Sequence, residues 1–345
     1  MTARRHVLVA RLDGDGDVLL AGPAVRAAAA SGARVSFLCS PTAAPVARLL
    51  PGVDEVVTFL APWVPADPPP VDGAEVLGLV DRVGAAGPDE AMVLTSFHQS
   101  PLPLALLLRM AGVPRIGAVS VDYPGSLLDV RHAVPDDVHE VERNLSLAAA
   151  LGHRLAPGDD GRLRVRRPAG PRPAGLPDGA YVVVHPGASV PARAWGPERN
   201  RALVAALAAA GRAVVVTGGP SERALAARVA SAAPGVVDLA GRTDHAGLAE
   251  VLAGADAVVV GNTGPAHLAA AVGTPVVSLF APTVPAARWR PWGVPHVLLG
   301  DQDVACAGCR ARRCPYEGHP CLGAVGVDEV VAAVDRVVAA REVAA

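Results

Sequence analysis

The chain has 345 residues, of which 51% are hydrophobic and only 3% aromatic, and its formal net charge is −2. A chain of this length usually forms more than one domain. The near-neutral charge offers no basic surface that would attract nucleic acid or an anionic membrane. All 31 basic residues are Arg, so any side-chain cation that binds a phosphate is a planar guanidinium that stays charged.

Targeting signals are not evident in the sequence. The first apolar run, His6–Ala10, is ended by Arg11 and is too short for the core of a secretory signal. The run Leu102–Leu108 is stopped by Arg109, well short of a bilayer-spanning length. We therefore expect a cytoplasmic protein without a transmembrane segment.

The first half of the chain alternates apolar strands with Ala-rich helices. The pattern predicts strands at His6–Arg11, Arg34–Leu38, Glu55–Phe59 and Ala91–Thr95, and helices at Val18–Ala30 and Leu102–Met110. The Pro-rich stretch Pro62–Pro70 is expected to be a loop. Strands separated by helices indicate a parallel sheet with right-handed crossovers.

The second half repeats this organisation after a linker rich in Pro, Arg and Gly at Arg166–Pro177. Predicted strands are Tyr181–Val184, Ala213–Thr217, Val236–Leu239, Ala257–Val260 and Val276–Phe280, and predicted helices are Arg199–Ala210, Ala266–Ala271 and Asp328–Arg341. We expect an α/β protein with two Rossmann-like domains, at residues 1–170 and 178–345, whose last helix packs back on the first domain. Ligands of such sheets lie beyond the carboxyl ends of the strands.

The loop after the first strand is acidic, with Asp13, Asp15 and Asp17 around Gly14 and Gly16. It lacks the third glycine of the dinucleotide fingerprint. A carboxylate at a helix N-terminus is stabilised as an anion, which suits a general base. The alternative is structural, with turn residues at Asp13 and Asp15 and a helix cap at Asp17.

Three loops in the second half have the composition of nucleotide sites. His185–Ser189 is a glycine loop followed by Arg193, which suits a diphosphate. Gly218–Glu222 places Glu222 where it accepts from ribose hydroxyls or caps a helix. Gly261–His267 joins a strand to a helix that starts with Gly264 and Pro265, which forms an anion site. Asn262 and His267 are expected beside that site, although the alternative for a lone His is a structural role.

Four of the five cysteines lie close together in sequence, at Cys306, Cys309, Cys314 and Cys321. This spacing suits a structural metal ion or an iron–sulfur cluster, or four reduced thiols. No cluster of His, Asp and Glu has the spacing of a catalytic metal site.

Together these loops resemble glycosyltransferase family 9, the heptosyltransferases. The similarity extends in order over nearly the whole chain, and its most specific part is N-T-G-P-A-H-L-A-A-A-V-G-T-P at Asn262–Pro275. Shorter matches are R-L-D-x-x-G-D-V-L-L at Arg11–Leu20, G-P-A-V-R at Gly22–Arg26, H-P-G-A-S at His185–Ser189, G-G-P-x-E at Gly218–Glu222 and F-A-P-T at Phe280–Thr283. The resemblance implies a GT-B fold with parallel sheets facing a central cleft, and an inverting, metal-independent transfer from an ADP-activated heptose that needs no cofactor.

The resemblance also implies roles for individual residues. Asp17 matches the position of the catalytic base and Asp13 a neighbouring acid. The positions that match donor contacts are Ser189 and Arg193 at the diphosphate, Glu222 at the ribose, Thr243 beside the adenine, and Thr263, Gly264 and His267 in the phosphate-binding turn. The implied partners are a nucleotide-sugar donor, with an ADP-sugar favoured, and a glycan, glycolipid or natural-product acceptor.

The chain departs from the family at Asn262, where relatives usually carry Asp. An amide hydrogen-bonds a sugar hydroxyl but cannot take a proton. Four alternatives therefore stay open at this stage: a transferase for another NDP-hexose in cell-surface glycan or natural-product glycosylation, a nucleotide-sugar epimerase, a hydrolase, and a non-catalytic nucleotide-sugar-binding homologue.

Overall fold

A computed structural model describes residues 4–167 and 172–344, with the side chains of 342–344 left out. The chain divides into two compact units, Met1–Arg166 and Arg167–Ala345. Part of the predicted linker, residues 168–171, lies outside the described residues.

The first unit contains a six-stranded parallel sheet. Its strands are β1 (His6–Arg11), β2 (Arg34–Cys39), β3 (Glu55–Thr58), β4 (Glu90–Leu94), β5 (Ile116–Val119) and β6 (Val130–His132). Its helices are α1 (Asp15–Ala30), α2 (Ala44–Ala47), α3 (Gly73–Ala86), α4 (Leu102–Met110) and α5 (Glu140–Ala150). The strand order is β3-β2-β1-β4-β5-β6. The chain therefore reverses direction across the sheet between β1 and β4, which leaves a crevice at their carboxyl ends.

The second unit contains a second parallel sheet of six strands. Its strands are β7 (Tyr181–His185), β8 (Ala213–Val216), β9 (Val237–Asp238), β10 (Ala257–Gly261), β11 (Val276–Leu279) and β12 (His296–Leu299). Its helices are α6 (Pro197–Ala209), α7 (Arg223–Ala230), α8 (His245–Ala253), α9 (Gly264–Ala271), α10 (Ala286–Trp289), α11 (Pro320–Gly323) and α12 (Val327–Ala344). The order β12-β11-β10-β7-β8-β9 places the equivalent crevice between β7 and β10.

The central strands of both sheets are buried along their whole length and mostly apolar, because helices cover both faces. Every residue of β1, β4, β7 and β10 is buried. Val and Ala dominate the packed core of the second unit, and α12 contributes Val330, Val334 and Val337 to it. Small and β-branched side chains thus replace the aromatic residues that the composition lacks.

One buried charge lies at the amino end of the first sheet. Glu90, the first residue of β4, is fully buried and pairs with Arg5 at 3.0 Å and Arg115 at 2.5 Å. The ring of His153 lies 2.5 Å from its other carboxylate oxygen. These contacts tie the start of β1 and the residues after α5 to β4.

The predicted element types agree with the structure wherever the apolar pattern was long. The predicted strand His6–Arg11 and helix Leu102–Met110 have the same bounds in the structure. The capping interpretation of Asp17 is wrong, since α1 begins at Asp15 and its N-cap is Gly14. Strands β5, β6 and β12 and helices α3 and α5 were not predicted. Within the described residues, no helix combines the length and apolarity needed to cross a membrane.

The contact between β5 and the end of α5 gives a stability prediction. A Cβ on Gly117 would lie 2.7 Å from a methyl carbon of the buried Leu151, so Gly117→Ala should destabilise the first unit by about 1–3 kcal/mol. Gly78→Ala, inside α3, is the matched control because its nearest neighbour would be the end of the Arg82 side chain at 3.5 Å. The control should be neutral or stabilising by up to about 1 kcal/mol. Urea denaturation measures both, and an unchanged midpoint for Gly117→Ala would contradict the packing.

Candidate functional site

The acidic loop of the first unit lies at the crevice between β1 and β4. Arg11 is the last residue of β1 and its side chain is fully buried. The loop that follows β4 supplies Ser96 and Gln99 from the neighbouring strand end. The parallel order therefore brings together two loops that are more than 80 residues apart in sequence.

The guanidinium of Arg11 contacts three carboxylates through three different nitrogens. Nε lies 2.7 Å from Asp13 Oδ2, Nη2 donates to Asp17 Oδ1 at 2.7 Å, and Nη1 donates to Glu140 Oε2 at 3.0 Å. Nη2 also donates to Ser96 Oγ at 2.9 Å. The contact with Asp13 is an ion pair without hydrogen-bond geometry. Arg11 is therefore the common partner of the whole cluster.

Burial and charge act in opposite directions on this cluster. Burial raises the pKa of Asp13 to about 6, the Asp17 and Glu140 carboxylates add to that rise, and Arg11 and the Gln99 amide oppose it. Burial alone would lower the pKa of Arg11, but the three carboxylates together raise it. Arg11 therefore stays charged, and Asp13 binds its proton more tightly than an ordinary Asp carboxyl group.

The two predicted catalytic carboxylates differ in their access to a ligand. The Asp17 side chain is 26% exposed, whereas that of Asp13 is 10% exposed and accepts from Gln99 Nε2 at 2.5 Å. Asp17 is the third residue of α1, where the partial positive charge of the helix N-terminus favours its anion. Asp17 is thus the better placed of the two to meet a substrate.

A small pocket lies beside Asp13. Gln99, the hydrogen-bond donor to Asp13, is one of its lining residues. The other lining residues are Leu12, Trp63, Val64, Val93, Leu94, Thr95, Ser100, Pro101 and Leu104. None of these ten side chains carries a charge, so the pocket suits an uncharged group rather than an anion.

The second unit presents a different chemistry at the equivalent crevice, where Arg193 joins two loops. Its Nε donates to Thr283 Oγ1 at 3.2 Å and its Nη1 donates to the Asn262 carbonyl at 3.3 Å. A Cβ on Gly261 would lie 2.8 Å from the Arg193 carbonyl oxygen. This glycine therefore lets the Arg193 backbone come close to the end of β10.

Helix α9 starts two residues after Asn262, whose carbonyl accepts a hydrogen bond from Arg193. Thr263 is its N-cap, Gly264 its first residue, and His267 is buried on its first turn and a half. The amide N–H groups at such a helix start bind anions, and the nearby guanidinium adds charge. The structure therefore places Arg193 beside the carbonyl of Asn262, directly before Thr263 and Gly264. Binding of a phosphate at this turn stays a prediction.

Glu222 packs against the glycine of the His185–Ser189 loop. A Cβ on Gly187 would lie 1.9 Å from Glu222 Oε1. Glu222 Oε2 accepts from the Gly219 amide at 2.7 Å and lies 3.7 Å from His185 Nε2. Burial lowers the pKa of His185 and Glu222 opposes this, while His185 Nδ1 lies 3.0 Å from Thr217 Oγ1. A side chain larger than hydrogen at Gly187 would displace the carboxylate.

The other predicted donor residues have the following places. Asn262 is buried, donates from Nδ2 to the Ala281 carbonyl at 3.1 Å, and has no described partner for Oδ1. Ser189 is exposed on the loop that follows β7, and Thr243 is half-buried on the loop that precedes α8. Neither side chain takes part in the hydrogen bonds described above for Arg193.

Cys306, Cys309 and Cys314 of the cysteine cluster lie in the chain between β12 and α11, and Cys321 lies in α11. Cys321 is buried, Cys306 and Cys314 are half-buried and Cys309 is exposed. Burial raises the pKa of Cys321, and the other three cysteines add to the rise. Among the residues described by the structure, no group of three or more His, Cys, Asp or Glu side chains is arranged to hold a metal ion. None of the four forms a disulfide in the structure, and a structural metal ion or iron–sulfur cluster bound by these cysteines stays a prediction.

Four residues of the acidic cluster had no predicted role: Arg11, Ser96, Gln99 and Glu140. Arg11 was visible only as the end of an apolar strand. Glu140 is 129 residues away from Arg11 in sequence, and only the fold brings it to the crevice. A charged residue at the end of a buried strand is the one signal that would have drawn attention to Arg11.

The chain resembles known proteins in both sequence and structure. The family model described as glycosyltransferase family 9 (heptosyltransferase) matches residues 93–319, about two thirds of the chain. This range includes the Arg193 turn but excludes Asp13 and Asp17. No curated protein sequence matches the chain significantly.

Solved structures share the fold at low identity. A family 9 glycosyl transferase from Veillonella parvula is 16% identical with a TM-score of 0.78, and each chain is covered over 99%. The Escherichia coli heptosyltransferase WaaC, solved with ADP-2-deoxy-2-fluoro heptose, is 22% identical with a TM-score of 0.72 over 96% of this chain and 99% of that one. The iron-containing dodecameric glycosyltransferase TibC of enterotoxigenic E. coli is 15% identical with a TM-score of 0.56, over 98% and 77%.

These findings agree with the two doubly wound sheets. The chain belongs to glycosyltransferase family 9, the heptosyltransferase family, and is a glycosyltransferase with a GT-B fold.

Proposed function

We propose that this chain transfers a sugar, most simply a heptose, from an ADP-activated donor to a hydroxyl group, with inversion and without a catalytic metal. The observation that carries the proposal is the Arg193 turn. Here the Arg193 guanidinium lies beside the N-terminus of α9, and Gly261 has no side chain to keep the Arg193 backbone away. The structure of WaaC with ADP-2-deoxy-2-fluoro heptose supports the donor class.

The second unit is proposed to bind the donor. Arg193 and the amides of Thr263 and Gly264 would stabilise the charge that grows on the departing diphosphate, which is the role of a metal ion in other transferases. Ser189 adds a hydroxyl donor from the loop after β7. Glu222 accepts from ribose hydroxyls, and Thr243 lies beside the base, as the family resemblance implies.

The first unit is proposed to bind the acceptor and to remove its proton. Asp17 takes the proton from the attacking hydroxyl, because it is the more exposed of the two carboxylates held by Arg11. The carboxylate of Asp13, which lies against Arg11 Nε, partly neutralises the positive charge of Arg11. The uncharged pocket at Trp63 and Leu104 then receives a neutral part of a glycan, glycolipid or natural-product acceptor.

Asn262 favours a second candidate, a transferase for a different NDP-hexose. Its Nδ2 donates to the Ala281 carbonyl, which leaves only Oδ1 to accept from a sugar hydroxyl. A carboxylate at this position would repel the carbonyl and would offer charge that an amide lacks. The choice of donor sugar therefore depends on a residue whose hydrogen bonding differs from that of the usual Asp.

Donor recognition is tested by titrating the protein with ADP, GDP and UDP in a calorimeter, in buffer that contains EDTA. We expect selective ADP binding, and Arg193→Ala should raise the Kd for ADP about tenfold to a hundredfold because a charge-assisted contact is lost. Arg228→Ala is the control, since this Arg pairs with Glu198 and is 60% exposed. Tighter binding of UDP or GDP would replace the ADP-sugar by another NDP-sugar, and binding only after EDTA is replaced by Mg²⁺ would contradict metal independence.

The base is tested by the turnover of ADP-heptose, measured as ADP release. Asp17→Asn should lower kcat by about 10²–10⁴-fold, the usual contribution of general-base catalysis, and should change the Kd for ADP less than about twofold. Asp15→Asn, a carboxylate in the same helical turn, should keep kcat within about threefold. Near-normal turnover in Asp17→Asn would show that another group takes the proton.

The raised pKa of Asp13 predicts a pH-dependent stability. A carboxyl group with a folded pKa of about 6 binds its proton more tightly in the folded state than in the unfolded state, so its contribution to stability is lost as pH rises from about 4 to 6. Asp13→Asn removes this loss. Its melting temperature should exceed the wild-type value by a few degrees at pH 7.5 and equal it at pH 4.5, and calorimetry at both pH values measures the difference.

A melting temperature that rises by the same amount at both pH values would show that Asp13 ionises normally and that the change acts through packing. The Asp15→Asn variant serves again as the control. It removes a carboxylate from the same loop without removing one of the ion pairs to Arg11.

A further inference from the structure

The buried carboxylate of Glu140 has no part in the proposed reaction. Glu140 is the first residue of α5, and its side chain is 0% exposed. Its Oε2 accepts from Arg11 Nη1 at 3.0 Å, and its Oε1 lies 3.6 Å from Arg143 Nη1. A fully buried ionised carboxylate loses its hydration, and the ion pairs that it gains add little net stability. A gain in net stability therefore does not explain a charge at this position.

We propose that Glu140 is a positioning residue for sugar transfer: through Arg11 it fixes the orientation of Asp17 and keeps that carboxylate able to accept a proton. This inference rests on the proposed function, in which Asp17 removes the proton of the acceptor hydroxyl. Glu140 itself does not touch the substrate.

The orientation follows from the geometry of the guanidinium. A guanidinium is a rigid planar fork whose donors point in fixed directions. Glu140 holds Nη1, Ser96 accepts from Nη2, and Asp13 lies against Nε. These three contacts fix the plane of the guanidinium. The second N–H group of Nη2 then points at Asp17 Oδ1, 2.7 Å away. A change at Glu140 frees the plane to rotate and moves Asp17 with it.

The proton affinity follows from the charge balance. A cation beside a carboxylate favours the ionised form and makes it a weaker base. Without Glu140, the full positive charge of Arg11 would act on the carboxylates of Asp13 and Asp17. Glu140 offsets this positive charge from the opposite edge of the fork. Its carboxylate adds to the rise in the pKa of Asp13, and it weakens the field of the same guanidinium that Asp17 contacts. Three segments carry the partners of Arg11, and their charged and titratable residues are Asp13, Asp15 and Asp17 in the loop before α1 and its first turn, His98 in the loop after β4, and His139, Glu140, Glu142 and Arg143 at the N-cap and first turn of α5.

The local structure of α5 holds Glu140 in place. His139 is buried and accepts from the Val141 amide through Nδ1 at 3.2 Å, and Glu142 accepts from the His139 amide at 3.4 Å. Arg143 donates to the carbonyl of Thr95, the residue that precedes Ser96. The helix start is thus bonded to the same loop that supplies Ser96 to Arg11.

The test is a titration of the aspartates by ¹³C NMR on protein labelled at the aspartate carboxyl carbon, with Asp13→Asn and Asp17→Asn for assignment. In Glu140→Gln the midpoint of Asp13 should fall by about half a unit or more, because a neighbouring negative charge is lost. The acidic limb of the pH profile of kcat/KM for ADP-heptose should move to lower pH as well, and its plateau should fall about threefold to tenfold. The KM for the donor should stay within about twofold.

Two further variants separate positioning from folding. Glu140→Asp keeps the charge with a shorter reach, so the acidic limb should stay at the wild-type pH while the plateau remains low. Glu90→Gln removes an equally buried carboxylate from the other end of the same sheet. It should lower the melting temperature and leave both the aspartate titration and the acidic limb unchanged.

An unchanged Asp13 titration and acidic limb in Glu140→Gln, together with a turnover that depends on Asp17, would overturn this inference alone. If Asp17→Asn retains turnover, the proposed base is wrong, and the NMR titration still measures whether Glu140 acts on the aspartates. A loss of melting temperature without any shift of the titration would assign Glu140 a purely structural role.

Discussion

The contact between Arg11 and three carboxylates is the constraint on which the first unit is organised. A cation at the end of a fully buried strand needs anionic partners, because an unpaired buried charge costs several kcal/mol. Asp13 and Asp17 come from the chain that follows the strand, and Glu140 comes from a helix 129 residues away. The loop after β1, the first turn of α1 and the start of α5 therefore occupy positions that one side chain determines.

The two units use the same strand order for opposite chemistry. In both sheets the crevice lies where the order reverses, between β1 and β4 and between β7 and β10. The first crevice gathers carboxylates around a buried cation, and the second gathers a guanidinium and backbone amides beside Gly261 and Gly264. Because the loops are independent of the covered sheet, the same architecture presents a carboxylate cluster in one unit and a guanidinium beside a helix N-terminus in the other.

Much of the fold was predictable because its signals are local. Long apolar runs such as Ala257–Gly261 and glycine turns such as Asn262–Gly264 identify strands and the loops that follow them. Strand β6 has only three residues, and its pattern is too short to detect. Helix α5 carries buried Glu140, Arg143 and Asn144, so its inward face does not look apolar. The contacts of Arg11 with Ser96 and Glu140 depend on the sheet order, which the sequence pattern does not contain. The same holds for the contacts of Glu222 with His185 and Gly187.

Strand β1 is held by buried charge at both of its ends. Arg5, just before it, pairs with Glu90 of β4, and Arg11, its last residue, pairs with Glu140. Within the sheet, Val7 lies opposite Glu90 and Arg11 opposite Leu94. A shift of β1 by one residue would turn Arg11 to the other face and break both ion pairs at once. The Val, Leu and Ala side chains between these ends do little to define the alignment of β1. The polar residues at its ends therefore specify the pairing register, and they include His6, whose Nε2 lies 2.8 Å from Ser36 Oγ of β2.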